Sequence, residues 1–257
     1  IYRAGAGHIG GALSAVDLLV VLFYDVLNYR PEEPDWPLRD RFILSKGHSC
    51  EGYYAILADR GFFPREELAS FMKYQGKLMG HPHPKVPGVE IATGSLGHGL
   101  SVATGMALAG KRDHLPYRVY CLLGDGELAE GSVWEAAMAA AHYGLDNLVC
   151  LIDCNGLQIS GPTRQVMNTQ PLAAKWEAFG WEVREIDGHD LQQIKQNLDQ
   201  IPFTIGRPSL VIARTVKGKG ISFMENDYHW HHKVPNSEEY ARALKELEGV
   251  GPGEIGA

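Results

Sequence analysis

Two short segments, 117–123 (YRVYCLL) and 148–153 (LVCLID), are apolar almost without interruption. Each runs straight into a glycine-bearing turn, Gly124-Asp125-Gly126-Glu127 in the first case and Cys154-Asn155-Gly156-Leu157 in the second. A strand with one wet face alternates apolar and polar residues, so an unbroken apolar run demands a parallel sheet covered by helices on both sides. Three more segments read as strands: 41–45 (RFILS), 181–186 (WEVREI) and 209–215 (SLVIART). Helical periodicity is read at 14–27, 100–112, 131–143, 172–179, 190–200 and 237–248; in the first, Val16, Leu19, Val20, Phe23 and Leu27 share a face, with Ser14 as the cap. The alternation predicts an α/β fold, doubly wound, with a mainly parallel sheet and helices on both faces.

The 257 residues, 45% of them hydrophobic, suit one large domain over 1–257, and no boundary is predicted inside it. Proline-rich loops are expected at 30–36 and 80–88, and a frayed tail at 249–257. With 21% charged residues and no run of 18 uninterrupted apolar ones, neither a disordered chain nor a membrane-spanning one is expected. The 31 acidic residues outnumber the 24 basic ones, and no basic cluster is present to neutralise successive phosphates, so no nucleic-acid partner is expected. Four cysteines are too few for a disulfide scaffold, which points to reduced thiols and a cytoplasmic protein. Cys150 and Cys154 fall on one strand face without a second ligand pair, so no zinc site is expected. The chain opens on Ile1, and residues 1–11 lack the basic start and apolar stretch of a secretion signal; the N-terminus is read as incomplete.

Glycine is the informative excess, 30 of 257 residues, clustered at 5–11, 94–105, 124–131, 156–161 and 218–220. In open α/β sheets, ligands sit beyond the carboxyl ends of the strands, where loops and helix N-termini converge. There Asp125 offers a carboxylate, Asn155 an amide oxygen and the turn after it the backbone carbonyl of Leu157. A few hard oxygens beside glycines suit Mg²⁺ shared with a diphosphate better than an all-protein calcium cage. Asp-Gly alone is a common turn dipeptide. Its pairing with Asn155 on the next strand is what points to a site.

The stretch 124–155, GDGELAEGSVWEAAMAAAHYGLDNLVCLIDCN, resembles the thiamin diphosphate-binding motif, and GDGE..EGSVWEA is similar to transketolases in particular. Ala6-Gly7-His8-Ile9-Gly10, Ser45-Lys46-Gly47-His48, Gly80-His81-Pro82, Thr93-Gly94-Ser95-Leu96-Gly97 and Trp230-His231 resemble further segments of that family, in family order. The resemblance implies a thiamin diphosphate-binding fold, with Mg²⁺ held by Asp125, Asn155 and the Leu157 carbonyl, and with Gly124 and Gly126 letting the diphosphate approach. It implies that His48 meets the diphosphate, that His81 meets the donor's hydroxyl end, and that His8 and His231 relay protons at the substrate oxygen. Gly94 and Leu96 match positions that meet the aminopyrimidine. Glu130 matches a carboxylate coupled to proton traffic between two sites, beside its plainer reading as a charge at a helix N-terminus. The other histidines, His83, His114, His142, His189, His229 and His232, are read as structural or surface residues. His98 and Cys154 depart from the family pattern, and His98 is expected to add a titratable group near the cofactor. Lys217 and Lys219 have two readings, contact with a phosphate and, the commoner explanation, a flexible basic loop.

The implied activity is transfer of a two-carbon ketol unit from a ketose phosphate to an aldose phosphate, in carbohydrate metabolism of the pentose phosphate type. The chain resembles only the diphosphate-binding part of a transketolase. The expected partner is a C-terminal transketolase subunit carrying the pyrimidine and C-terminal domains, in an α2β2 assembly. The alternatives are one chain of a 2-oxo acid dehydrogenase or of a deoxyxylulose phosphate synthase, and a split transketolase for an unusual sugar. Outside the cofactor class stand a nicotinamide-dependent dehydrogenase and a non-catalytic binding subunit. For the dehydrogenase, Gly5, Gly7 and Gly10 fit the glycine spacing, but no predicted strand precedes them.

Overall fold

The computed structural model describes residues 1–249; residues 250–257 of the predicted tail lie outside them. Its frame is a five-stranded, wholly parallel sheet. In chain order the first elements are α1 (Ile9–Val21, continued by a wider helical turn over Leu22–Val26), β1 (Arg41–Leu44), α2 (Cys50–Asp59), α3 (His98–Arg112) and β2 (Val119–Gly124). These are followed by α4 (Gly131–His142), β3 (Leu148–Cys154), β4 (Leu157–Gln158), β5 (Gly161–Pro162), α5 (Thr163–Val166), α6 (Leu172–Ala178), β6 (Glu182–Asp187), α7 (Leu191–Leu198), β7 (Ser209–Arg214) and α8 (Ser237–Glu248). The sheet order is β1-β2-β3-β7-β6, and β4 and β5 form a separate antiparallel hairpin.

The unbroken apolar runs are explained by two cores, one on each face of the sheet. Phe42, Leu44, Tyr120, Leu122, Val149, Leu151, Val211 and Ala213 pack with α1, α2 and α7 on one side. Ile43, Val119, Cys121, Leu123, Cys150, Ile152, Leu210 and Ile212 pack with α3, α4 and α6 on the other. The doubly wound expectation is met. The chain runs one way from β1 to β3, jumps past a vacant place to β6, and turns back to insert β7 beside β3. That reversal moves the crossover helix α7 to the opposite face from α4 and α6, as right-handed connections require.

Several local expectations change. Helix α2 was not legible, because Cys50–Asp59 opens on a Cys-Glu-Gly run and buries Tyr53 and Tyr54, residues without a helical signature. The first helix starts at Ile9, so Ser14 is not a cap; it lies inside α1 and donates to the Asp153 carboxylate (2.6 Å) and to the Gly11 carbonyl. Ile9–Val26 is long and apolar enough by composition to be considered a membrane span. Its apolar side is nevertheless buried in the core, with Ala15, Leu18, Leu19 and Leu22 inaccessible. All four cysteines are buried and free.

One buried ion pair sits where the strand tips meet. Lys46, just past β1, is 2% exposed and Asp153, at the end of β3, is fully buried. The Lys46 ammonium pairs with the Asp153 carboxylate and donates to the Gly11 carbonyl at the start of α1 (3.1 Å). Asp153 also accepts from Ser14 of α1, Thr215 after β7 and the Asn155 amide. Burial alone would raise the Asp153 pKa, but Lys46 and the hydroxyl donors outweigh it and hold the group below the usual carboxylate range. Removing one partner strands the other charge in the interior. Lys46→Met is therefore expected to lose about 3–5 kcal/mol of unfolding free energy, whereas Lys46→Met with Asp153→Leu recovers most of the loss. Denaturant titrations of both variants check this, and equal losses in the two would contradict it.

Candidate active site

Register places the two glycine-bearing turns side by side. Gly124 stands opposite Asp153 across the β2–β3 ladder, and the Asp125 amide donates to the Asp153 carbonyl (3.1 Å). A cleft of about 270 Å³ opens at this edge. Its lining includes His48, His81, Gly94, Leu96, Gly124, Asp125, Gly126, Asn155, Leu157 and His231, ten of the residues singled out from sequence. Lys46, Glu127, Gln158, Ile159 and Lys217 complete it.

Asp125 is 4% exposed and is held only by neutral donors. Its Oδ1 accepts from the Gly126 amide (2.9 Å), and its Oδ2 from the Gly156 amide (2.8 Å) and, weakly, the Cys154 thiol. Burial, and then the charge of Asp153, push its carboxyl up to about 6. A buried carboxylate whose hydrogen-bond donors are all neutral is stabilised by a bound metal ion. Asn155 is oriented for the same task. Its Nδ2 donates to Asp153 (3.2 Å) and Ser14 (3.3 Å), which sets the oxygen opposite; that oxygen accepts the Leu157 amide (3.0 Å) and keeps a lone pair.

The hairpin then exposes the third oxygen. Thr163 N–H donates to the Gly156 carbonyl (2.9 Å), so the next pair, Leu157 opposite Pro162, is a non-hydrogen-bonded one whose carbonyls turn away from the ladder. The donor set of one carboxylate, one amide oxygen and one carbonyl fits Mg²⁺ and contains no cluster of three His, Cys, Asp or Glu side chains; none exists among the described residues.

The cleft also carries positive charge at its floor and imidazoles at its wall. Lys217, 1% exposed, faces it with no acidic side chain in ion-pairing range among the described residues. Burial, then repulsion from Lys46, lower its pKa to about 8. The reading of 217–219 as a flexible basic loop is thus corrected for Lys217, because only tertiary packing buries it.

The His8 ring lies 5.5 Å from His48, 5.9 Å from His81, 5.7 Å from His231 and 4.6 Å from His232, centroid to centroid. Burial, reinforced by neighbouring imidazoles and Lys217, lowers His8 to about 4, and His231, beside Lys217, is lowered to about 3. His48, buried beside Lys46, and His81 are also lowered. The four are neutral imidazoles near pH 7. Buried atoms without partners stand in this group, His8 Nδ1, His231 Nδ1 and Gln158 Oε1, as a site for a polar ligand requires.

Three of the singled-out residues, His8, Glu130 and His98, stand outside the cleft lining. His8 lines an adjoining crevice of about 580 Å³, joined to the cleft at His81, and His232, exposed as its structural or surface reading allows, lines that crevice with it. Glu130 is exposed at the N-terminus of α4, as its plainer reading has it, and its Cβ packs on Gly97. His98 likewise opens α3, exposed and outside the cleft lining, so it adds no titratable group to it.

Sequence reasoning also missed Glu127. It is buried, with its pKa raised by burial, and accepts from the Ser45 hydroxyl and from the Gly97 (2.9 Å) and Gly124 (3.1 Å) amides, tying three site loops together. The unusual GDGE ending was its only trace. Gly94 needs its glycine: at φ +136 a Cβ would stand 2.9 Å from the His81 ring.

The lowered histidines fix a pH signature. His231 titrates near 6.5 unfolded and about 3 folded, so its unfavourable contribution is absent above pH 6.5 and grows as pH falls toward 3. The melting temperature of wild type relative to His231→Gln is expected to fall between pH 7 and pH 4.5; a constant difference would contradict the assignment.

Comparison with known proteins agrees with this geometry. Residues 1–255 match the family described as transketolase, thiamine diphosphate binding domain. The chain is 47% identical over 247 residues to a subunit of the apulose-4-phosphate transketolase of Phocaeicola vulgatus, covering 96% of this chain and 88% of that protein. It is 42% identical over 252 residues to a 6-deoxy-6-sulfo-D-fructose transketolase subunit of a Clostridium species, covering 98% and 92%. The solved transketolase of Campylobacter jejuni superposes with a TM-score of 0.90 at 34% identity, covering 96% of this chain and 40% of that one. The chain therefore spans about two-fifths of such a single-chain transketolase and nearly the whole of the relatives named as subunits. The protein belongs to the transketolase family, a family of transferases, as a thiamine diphosphate-binding domain of the length of a separate subunit.

Proposed function

We propose that this chain is the cofactor-binding subunit of a two-subunit transketolase that moves a two-carbon ketol unit from a ketose to an aldose. The observation that carries the reading is the meeting of Asp125, Asn155 and the outward-turned Leu157 carbonyl with an unpaired buried lysine in one cleft. Those three oxygens would hold Mg²⁺. Lys217 and His48 would take the diphosphate, and Gly94 and Leu96 would meet the aminopyrimidine. When bound, thiamine diphosphate supplies an electron sink that lets a carbon–carbon bond beside a carbonyl break and re-form.

The chain's own residues supply position and protons. Neutral imidazoles can accept a proton or donate one, and His81, at the junction of the cleft and the adjoining crevice, would hold the donor's hydroxyls. His8 and His231, each with an unpartnered Nδ1, would accept and return a proton at the substrate oxygen. Their depressed pKa values keep the bases unprotonated at neutral pH.

The relatives of matching length, named as subunits for apulose-4-phosphate and for 6-deoxy-6-sulfo-D-fructose, support an unusual sugar and the need for a partner; the partner's make-up, its stoichiometry and the compartment extend the resemblance of the sequence. The substrate is a sugar outside the pentose phosphate set that carries an anionic end. The partner is a C-terminal transketolase subunit with the pyrimidine and C-terminal domains, joined in an α2β2 assembly in the cytoplasm.

Two substitutions separate binding from turnover. Asp125→Ala is expected to weaken Mg²⁺-dependent thiamine diphosphate binding by more than about 100-fold, since even outer partners of a metal site are worth roughly 10–100-fold. Calorimetric titration with the circular dichroism spectrum unchanged is the check, and wild-type affinity would refute the metal assignment. His81→Ala is expected to keep cofactor affinity and to lower ketol-transfer kcat/KM by about 100-fold, within the usual worth of a positioned acid or base. A steady-state assay of the chain co-expressed with its partner, over a panel of ketose phosphates, reads this out.

A further inference from the structure

His189, read from sequence as a surface or structural residue, is 13% exposed and lies outside the cleft lining, in the turn after β6. Its two ring nitrogens are both engaged. Nδ1 lies 2.7 Å from the Asp17 carboxylate on α1, and Nε2 lies 2.8 Å from the backbone nitrogen of Val216. A backbone N–H can only donate, so Nε2 must be the acceptor and Nδ1 must carry the proton that goes to Asp17. The ring is thereby fixed as one neutral tautomer. The His189 amide in turn donates to Asp187 (2.9 Å), which holds the turn itself.

The residue after Val216 is Lys217. Its segment is pinned at each neighbouring point: Thr215 Oγ1 donates to Asp153, the Gly218 amide to the Gly10 carbonyl (3.0 Å) and the Asn226 amide to the Lys217 carbonyl (2.9 Å). Val216 N–H is the pin that reaches across to α1 through a side chain. A buried ammonium with no ion-pair partner among the described residues has value for anion binding only if its approach is fixed in advance.

We propose that His189 is a positioning residue for the anion-binding lysine of the cleft. Held by Asp17, its imidazole fixes the backbone at Val216 and so aims the Lys217 ammonium at the diphosphate. The proposal rests on the cleft being the diphosphate site. It assigns His189 no contact with substrate or cofactor.

The test is a double-mutant cycle on the full chain, titrated calorimetrically with inorganic pyrophosphate and Mg²⁺. Lys217→Met and His189→Leu are each expected to weaken binding by about ten-fold, and the double variant to bind within about two-fold of Lys217→Met, because the histidine acts through the lysine. His189→Gln, whose amide oxygen reaches the place of Nε2, is expected to restore binding to within about three-fold of wild type. Additive losses, or wild-type affinity in His189→Leu, would overturn the proposal. Wild-type affinity in Lys217→Met would instead overturn the cleft reading beneath it, so the two failures are distinct. Imidazole ¹⁵N shifts of the unmodified protein give a check that needs no variant to fold: protonated Nδ1 with bare Nε2 is expected, and the opposite tautomer refutes the relay.

Discussion

The buried pair of Lys46 and Asp153 is the constraint on which the site depends. Parallel strands end in a row of unsatisfied backbone groups at one edge, and something must fix the loops that leave them. Here one carboxylate gathers the loop after β1, the first turns of α1, the loop after β7 and the amide of Asn155. The pair is buried on both sides, so its Coulomb attraction is little screened, and its hydroxyl and amide donors meet the remaining lone pairs. Asn155 and Lys217 are thus oriented by the same knot that closes the fold. Structure and site share one network.

The electrostatics of the cleft follow from that arrangement. Two lysines are held out of water next to four imidazoles; burial lowers all four rings, and the lysine charges add to it at His8, His48 and His231. Asp125, close to Asp153, is pushed in the opposite sense, toward a state that a divalent cation relieves. The cleft is poised for a doubly charged metal and a multiply charged anion together, since either alone would leave one set of charges uncompensated. An apolar wall, Leu96 and Ile159, flanks the polar floor and suits a flat ring more than a second charge.

Much of this was legible in the residues themselves. Unbroken apolar strands demanded a sheet covered on both faces, and glycine-bearing turns with Asp125 and Asn155 located its working edge. The motif histidines His48, His81 and His231 line the cleft. Glu130 and His98 did not fall into it, because each opens a helix whose first residue faces solvent. Helix α2 was illegible because its Tyr53 and Tyr54 are carried by packing in the core rather than by helical propensity.

The chain's own order of residues determined the fold class, the strand tips and the oxygen donors, since these depend on local periodicity and on turn chemistry within a few positions. Only tertiary structure decided that Lys46, Lys217, Glu127 and Asp153 belong with them. Their meaning lies in burial and in partners far along the chain, as with Lys46 and Asp153 at a separation of 107 residues. A lysine in a glycine-rich loop and a lysine sealed against a polar cleft read alike as letters. Desolvation tells them apart, and desolvation exists only once the layers have closed.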